Sequence, residues 1–177
     1  MRKPIVGIMG PGRGATHADI AVAYELGQCI AQQGWLLLTG GRNEGVMHAA
    51  SQGAKDAGGL IIGILPGSDP VGISSAVDIP ILTGMGNARN NINVLSSDIV
   101  MVCGMGCGTA SEVALALKVQ KPVILLNASD VSQAFFQQLT DSPVLVAIDP
   151  AQAMAIAHNL FNSTAQLLPS PKFSLER

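Results

Sequence analysis

Short apolar runs alternate with stretches of helical periodicity along most of the chain. Seven such runs occur, at residues 4–9, 35–39, 60–65, 79–82, 99–103, 122–126 and 144–148. Runs of this length with little polar interruption are typical of strands that are buried on both faces of a parallel sheet. Because a helical pattern follows most of them, we expect an α/β fold, a doubly wound Rossmann-like parallel sheet with helices on both faces.

The helical patterns between the strands predict six helices, at residues 17–33, 45–57, 86–97, 109–119, 129–139 and 150–161. Thr16 is placed to cap the first helix, and Pro150 suits the first turn of the last one. We therefore predict a single domain over residues 1–163. Residues 164–177 show no sustained periodicity and are predicted to form a loose C-terminal tail.

Three glycine-bearing turns follow predicted strands, at residues 10–14, 40–45 and 104–108. In the last turn Gly104, Gly106 and Gly108 let the backbone approach a ligand closely, and the helix that follows directs unpaired N–H groups at the same place. Such a turn favours an anion, most naturally a phosphate. The turn has no lysine and is no P-loop, and no turn matches the dinucleotide fingerprint. The alternative is a tight strand-to-helix connection without a ligand.

The composition narrows the class of partner. Of the 177 residues 48% are hydrophobic and only 12% are charged, with a formal net charge of −2. Charged side chains therefore cover less of the surface than usual. We expect the remaining apolar surface to be buried in a homo-oligomer, either a dimer or a tetramer. The chain has no cluster of Lys and Arg, which argues against nucleic acid and against an anionic membrane. Recognition is expected to occur in a pocket for a small molecule.

Cysteine and histidine contents indicate the compartment and the absence of a structural metal. Three cysteines are an odd number and suit a reducing, cytoplasmic environment. Cys103 and Cys107 are not spaced as a zinc motif, and His17, His48 and His158 are far apart in the sequence. We therefore predict no metal-ligating residues.

The predicted helix over residues 86–97 is unusual because it carries four asparagines. Asparagine disfavours helix interiors, so these side chains are expected to contact something other than water, with an amide-rich surface helix as the alternative. Helical spacing places Asn87, Asn90 and Asn91 on one face and turns Asn93 away. Arg89 lies in the same segment and suits an anionic ligand, or else an ion pair with Glu112.

These residues resemble a known superfamily. Arg89, the pair Ser97-Asp98, the motif Gly108-Thr109-x-x-Glu112 and the turn Gly40-Gly41 are similar to the proteins long labelled lysine decarboxylases. That superfamily includes the LOG phosphoribohydrolases, which activate cytokinins. Within it, the opening residues 7–12, residues 38–41 and the turn Gly104-Met105-Gly106 are most similar to the molybdenum cofactor carrier proteins.

Departures from the LOG pattern favour the carriers. LOG enzymes have Met-His-x-Arg-Lys where this chain has Gly86 to Asn90, so Asn87 and Asn90 replace the His and the Lys. Gly104 and Met105 stand at the first two positions of the LOG motif Pro-Gly-Gly-x-Gly-Thr-x-x-Glu. Arg89 and Glu112 are retained, and they would be the catalytic residues of a LOG-type enzyme.

The resemblance implies a non-catalytic carrier or storage protein with the molybdenum cofactor, molybdopterin, as its cargo. The cofactor-binding residues are then expected to be Gly10, Gly40, Gly41, Arg42, Asn87, Arg89, Asn90, Gly104, Met105, Gly106, Cys107, Gly108, Thr109 and Glu112. The resemblance also implies molybdoenzymes, which receive the cofactor, as partners. The alternative is a LOG-type phosphoribohydrolase that releases a base from AMP-like nucleotides, followed by a nucleotide sensor without turnover. The cargo is the mature cofactor, metal-free molybdopterin or molybdate alone.

Overall fold

A computed structural model describes residues 2–141 and 144–167 and contains one seven-stranded parallel sheet. The strands are β1 Ile5–Met9, β2 Leu36–Thr39, β3 Ile61–Leu65, β4 Ile79–Leu82, β5 Ile99–Cys103, β6 Val123–Leu126 and β7 Leu145–Val146. Every neighbouring pair is parallel, and the spatial order is β4-β3-β2-β1-β5-β6-β7. The predicted doubly wound Rossmann-like fold is confirmed.

The strand order reverses between β1 and β5, which pair directly with Met9 opposite Val102. The chain winds from β1 towards β4 on one side and from β5 towards β7 on the other. The loops that leave β1 and β5 therefore diverge at their carboxyl ends. This switch point is where ligands bind in open α/β sheets.

Helices cover both faces of the sheet. They are α1 His17–Gln32, α2 Gly45–Asp56, α3 Asn90–Ser96, α4 Cys107–Lys118, α5 Asp130–Gln137 and α6 Pro150–Leu167. Buried residues of α1, α2 and α6 form one apolar cluster, and those of α3, α4 and α5 form a second cluster on the other face. All five residues of β5 are buried between them, which explains its uninterrupted apolar sequence.

The helix boundaries follow local chemistry. Thr16 caps α1 as predicted, because its Oγ1 accepts from the Asp19 N–H at 3.1 Å. The Asp19 carboxylate accepts in return from the Thr16 N–H at 3.0 Å, which completes a capping box. The capping box thereby fixes the first turn of α1, and Asp19 also accepts from Asn127 Nδ2, just after β6, at 3.2 Å.

Three predicted boundaries are corrected. The segment over residues 86–97 is a 3-10 turn, Gly86–Arg89, followed by the shorter α3. Helix α4 begins at Cys107, two residues before the predicted start. Helix α6 continues to Leu167 because no glycine or proline interrupts it, so it enters the segment predicted to be loose. The rest of that segment, residues 168–177, lies outside the described residues. Within the described ranges, each helix is too short or too polar to span a bilayer.

Candidate anion-binding cleft

A cleft of about 220 Å³ opens at the switch point, between the loops that leave β1, β2 and β5 and the turn that precedes α3. Most of the residues predicted to bind a cofactor line it, namely Gly10, Gly40, Asn87, Arg89, Asn90, Gly106, Cys107, Gly108, Thr109 and Glu112. The topology therefore brings together residues that are up to 102 positions apart, from Gly10 to Glu112.

The N-terminus of α4 forms one wall of the cleft. Gly106 is the N-cap residue and provides no side-chain cap, and the N–H groups of Cys107, Gly108 and Thr109 in the first turn have no intrahelical acceptor. A Cβ built on Gly108 would have no atom within 4 Å, so the backbone is open to the cleft there. Open N–H groups and the positive end of the helix dipole together attract an anion.

Arg89 and Glu112 meet in the depth of the cleft. Arg89 Nη1 lies 3.4 Å from Glu112 Oε1, and the two side chains are only 11% and 7% exposed. The ion pair that the sequence left as an alternative is therefore present. Asn93 also donates to Glu112 Oε1 at 2.8 Å, and Arg89 Nη1 donates to Asn90 Oδ1 at 3.1 Å. Among the described residues, buried Arg89 Nε finds no hydrogen-bond partner.

Burial dominates the protonation of this pair. Desolvation raises the pKa of Glu112 to about 7, although the Asn93 hydrogen bond and the Arg89 charge both lower it. The pKa of Arg89 is lowered by the same burial, against the opposing effect of Glu112. When Glu112 is protonated, the pair carries a net positive charge. The bottom of the cleft then favours an anion.

Gly40 makes room for Arg89. A Cβ at this position would lie 2.7 Å from Arg89 Nη2 and 2.6 Å from Met47 Sδ. Real Cβ atoms do not approach that closely, so any larger residue would displace the guanidinium group. Gly40 thus acts by positioning Arg89 as well as by lining the cleft.

Two residues predicted on the same turn lie outside the lining of the cleft. The Gly41 N–H donates to Thr39 Oγ1 at 3.1 Å, and a Cβ on Gly41 would lie 3.0 Å from Gly63 Cα. Gly41 therefore serves the contact between β2 and β3. Arg42 is exposed and pairs with Glu44 at 3.2 Å.

The first two residues of the turn after β5 also lie outside the lining. The Gly104 N–H donates to Leu126 O at 3.0 Å, and a Cβ on Gly104 would lie 2.5 Å from Asp19 Cγ. The Gly104 φ of +72° is itself a conformation that favours glycine. Met105 packs against the apolar cluster of α3, α4 and α5. Both residues are explained by packing, and only the second half of the turn faces the cleft.

The asparagines are arranged differently from the prediction. Asn93 is buried and bound to Glu112, whereas Asn91 is exposed, so the expectation that Asn93 turns away is wrong. Asn90 and Asn93 are three residues apart within α3, and this spacing sets both on the same side of the helix. Asn90 donates to Ser111 Oγ at 2.8 Å, which ties α3 to α4. Asn87 is exposed at the cleft.

Several lining residues were not predicted. They are Ile8, Met9, Pro11, Gly12, Arg13 and Met47. The signal for Arg13 was available, because it is a cation on a glycine turn at the end of β1. The contribution of Met9 and Met47 follows from packing and has no distinct sequence signal.

Metal-binding chemistry is sparse in the part of the chain that the structure describes. There, no group of three or more His, Cys, Asp and Glu side chains is arranged to hold a metal ion. The three cysteines are free, with Cys103 buried and Cys107 exposed at the cleft. Burial raises the pKa of the Cys103 thiol far above its usual range, so this thiol stays protonated.

The fold and the cleft define a Rossmann-like protein with a ligand site at the switch point of its sheet. A model of the SLOG cluster4 family matches residues 3–154, and the chain belongs to this family. The resemblance to the LOG-like superfamily inferred from the motifs is thereby confirmed.

The chain is similar to two solved structures over nearly their whole length. The molybdenum cofactor binding protein from Rippkaea orientalis is 59% identical, with a TM-score of 0.89 over 91% of this chain and 99% of that one. The molybdenum cofactor carrier protein from Chlamydomonas reinhardtii is 54% identical, with a TM-score of 0.87 over the same shares. A cytokinin riboside 5'-monophosphate phosphoribohydrolase from Rhodococcoides fascians is 26% identical over 80% of this chain and 75% of that protein.

Proposed function

We propose that this protein binds the molybdenum cofactor as cargo and carries or stores it without catalysing a reaction on it. The relatives at 59% and 54% identity, similar over nearly their whole length, support this class of ligand. The single observation that carries the proposal is the cleft itself. It combines the open N-terminus of α4 with a buried arginine whose Nε has no partner among the described residues.

The chemistry of the cargo suits that combination. The cofactor is a pterin whose fused pyran ring carries both a dithiolene-bound molybdenum and a phosphate, so it has two anionic groups. The N–H groups of Cys107, Gly108 and Thr109 would hold one of these groups, as at other helix N-termini. Thr109 is only 2% exposed and lines the cleft, so its hydroxyl would add a donor there. Arg89 lines the cleft and would add a charge-assisted hydrogen bond from its guanidinium group.

A LOG-type phosphoribohydrolase is the second candidate, because the Arg89–Glu112 pair is assembled and a phosphoribohydrolase is a 26% identical relative. In that mechanism Glu112 would stabilise an oxocarbenium-like state while Arg89 orients the ribose phosphate. Two observations favour the carrier. Asn87 and Asn90 replace the His and Lys of the LOG pattern, and Asn90 is engaged with Ser111 and Arg89.

We also propose that the protein is a cytoplasmic homo-oligomer, a dimer or tetramer, that transfers the cofactor to molybdoenzymes. Exposed apolar side chains support the oligomer, with Ile79, Ile81 and Leu82 on β4 and Phe135 on α5 each at least 40% exposed. Sedimentation velocity of the purified protein measures the assembly directly.

The test compares cargo retention with turnover. Protein produced in cells that make the cofactor is expected to retain it, as measured by the fluorescence of the oxidised pterin and by molybdenum content. The ratio of the two separates mature cofactor, metal-free molybdopterin and molybdate alone. Release of adenine from AMP without pterin retention would instead establish the hydrolase. AMP binding without either would establish a nucleotide sensor.

Arg89→Ala examines the site within that test. Loss of a charge-assisted contact to an anion is worth about 1.5–3 kcal/mol, so retention should fall by about tenfold or more. Arg2→Ala is the matched control, because Arg2 pairs with Asp98 at the surface and does not line the cleft. Circular dichroism should show both variants folded. Equal retention in Arg89→Ala and Arg2→Ala would remove Arg89 from the site.

A further inference from the structure

Arg13 stands at the mouth of the cleft, on the turn that leaves β1. Its side chain is 91% exposed, and the residue lines the cleft. At the bottom of the same cleft, Arg89 and Thr109 are only 9% and 2% exposed. The cleft therefore has two places for negative charge at different depths, one at the bottom and one at the rim.

At the rim, Arg13 and Arg42 share one carboxylate, that of Glu44. Glu44 Oε1 lies 3.7 Å from Arg13 Nε and 3.2 Å from Arg42 Nη2. Two guanidinium groups and one carboxylate leave a net positive charge. The pair between Arg13 and Glu44 is long and exposed, and such pairs are weak, so a stronger anionic partner can take Arg13 from Glu44.

Backbone contacts position Arg13 at this rim. The Val46 N–H donates to Pro11 O at 3.1 Å, which ties the first turn of α2 to the loop that carries Arg13. A Cβ on Gly45, whose φ is +47°, would lie 2.4 Å from Pro11 O. Glycine at position 45 thus permits the two loops to touch. Arg13 and Glu44 are held face to face by this contact rather than by their own attraction.

We propose that Arg13 is a specificity-determining residue that leaves Glu44 and binds the anionic group of the cargo that lies nearer the rim. The inference rests on the proposed function, because it requires a ligand with two anionic groups. A nucleoside monophosphate has one such group and engages only the bottom of the cleft. Glu44 acts as the competitor that Arg13 pairs with when the cleft holds no cargo.

Opposite effects are expected from the two partners. Arg13→Ala should weaken retention of the molybdenum cofactor by about five- to tenfold, whereas Glu44→Gln should tighten it by about threefold. In the Arg13→Ala background, Glu44→Gln should give no tightening, because the residue it competes with is gone. Glu44 makes no side-chain cap to α2, so its replacement leaves the helix end unchanged.

Inorganic phosphate and AMP serve as probes of the bottom of the cleft. Their affinities, measured by calorimetry, should be unchanged in Arg13→Ala and reduced in Arg89→Ala. Retention that is equal in wild type and Arg13→Ala would overturn this inference alone. Tightening by Glu44→Gln that persists without Arg13 would also overturn it, since it would show a general charge effect. A wild-type protein that retains no cofactor would overturn the proposed function and this inference together.

Discussion

Two glycine turns look alike in the sequence and differ in the structure. The turn Gly40-Gly41 after β2 is closed, because Met47, Arg89 and Gly63 occupy the space beside its glycines. In the turn after β5, Gly106 and Gly108 face open space, with no atom closer than 3.6 Å to a Cβ built on either. Glycine serves close approach of protein to protein in the first turn. In the second turn it leaves backbone N–H groups accessible to a ligand.

The largest expected effect tests the closed turn. Gly41→Ala should lower the free energy of unfolding by about 2–3 kcal/mol, because Gly41 has a φ of +73° and a Cβ would lie 3.0 Å from Gly63 Cα. Urea denaturation measures this loss. Retention of cofactor per folded molecule should stay close to wild type.

Gly58→Ala is the matched control for the closed turn. Gly58 has a φ of +74° but no neighbour within 4 Å of a Cβ, so its replacement changes the backbone conformation alone. The difference between the two variants in free energy of unfolding then measures the cost of the close contact between β2 and β3. If Gly41→Ala kept its stability but lost the cofactor, this turn would be a ligand turn, and the contrast with the turn after β5 would fail.

An ion pair connects the two turns, since Arg89 lies against Gly40 and Glu112 lies on α4. Burial raises the pKa of Glu112 to about 7 from an ordinary value of 4.5. A carboxyl with a raised pKa stabilises the folded state below its unfolded pKa, and the contribution is lost as the pH rises through the folded one. Between pH 5 and 7, the cargo-free protein should lose about 2 kcal/mol of stability to this group.

Glu112→Gln should flatten that slope, because glutamine does not titrate. Asp98 does not contribute to the slope, because its pKa is lowered and it remains ionised throughout this range. Denaturant unfolding at a series of pH values measures both proteins. An equal slope in wild type and Glu112→Gln would show that Glu112 does not titrate in this range.

The fold could be predicted because each of its strands is an apolar run that is visible locally. The runs that predicted β1, β3 and β5 contain these strands completely, since a parallel strand buried on both faces shows its burial in its own sequence. The end of α6 was harder to place. Its polar last turns lack a local stop signal before Pro169, and the helix continues where periodicity fades.

The site was predictable only in part, because its composition depends on contacts between distant segments. Glycines at 106 and 108 were found from the strand-to-helix pattern, and they line the cleft. Gly104 has the same local sequence pattern, yet Asp19, which lies on α1, occupies the space where its Cβ would be. The burial of Asn93 likewise goes with its hydrogen bond to Glu112, which lies on α4, 19 positions further along the chain. Neighbours that are remote in sequence decide which glycine serves packing and which serves a ligand.

A substitution in the open turn, Gly108→Ala, is expected to give the smallest change in stability. Gly108 lies in the first turn of α4 and a Cβ there meets no atom, so Gly108→Ala should raise the free energy of unfolding by up to about 1 kcal/mol through helix propensity. The same methyl group would stand where the cargo approaches the N–H groups. Retention should therefore fall by about tenfold while the protein becomes slightly more stable. Thermal unfolding and pterin fluorescence measured on one preparation separate the two effects, and unchanged retention would show that no ligand approaches this backbone.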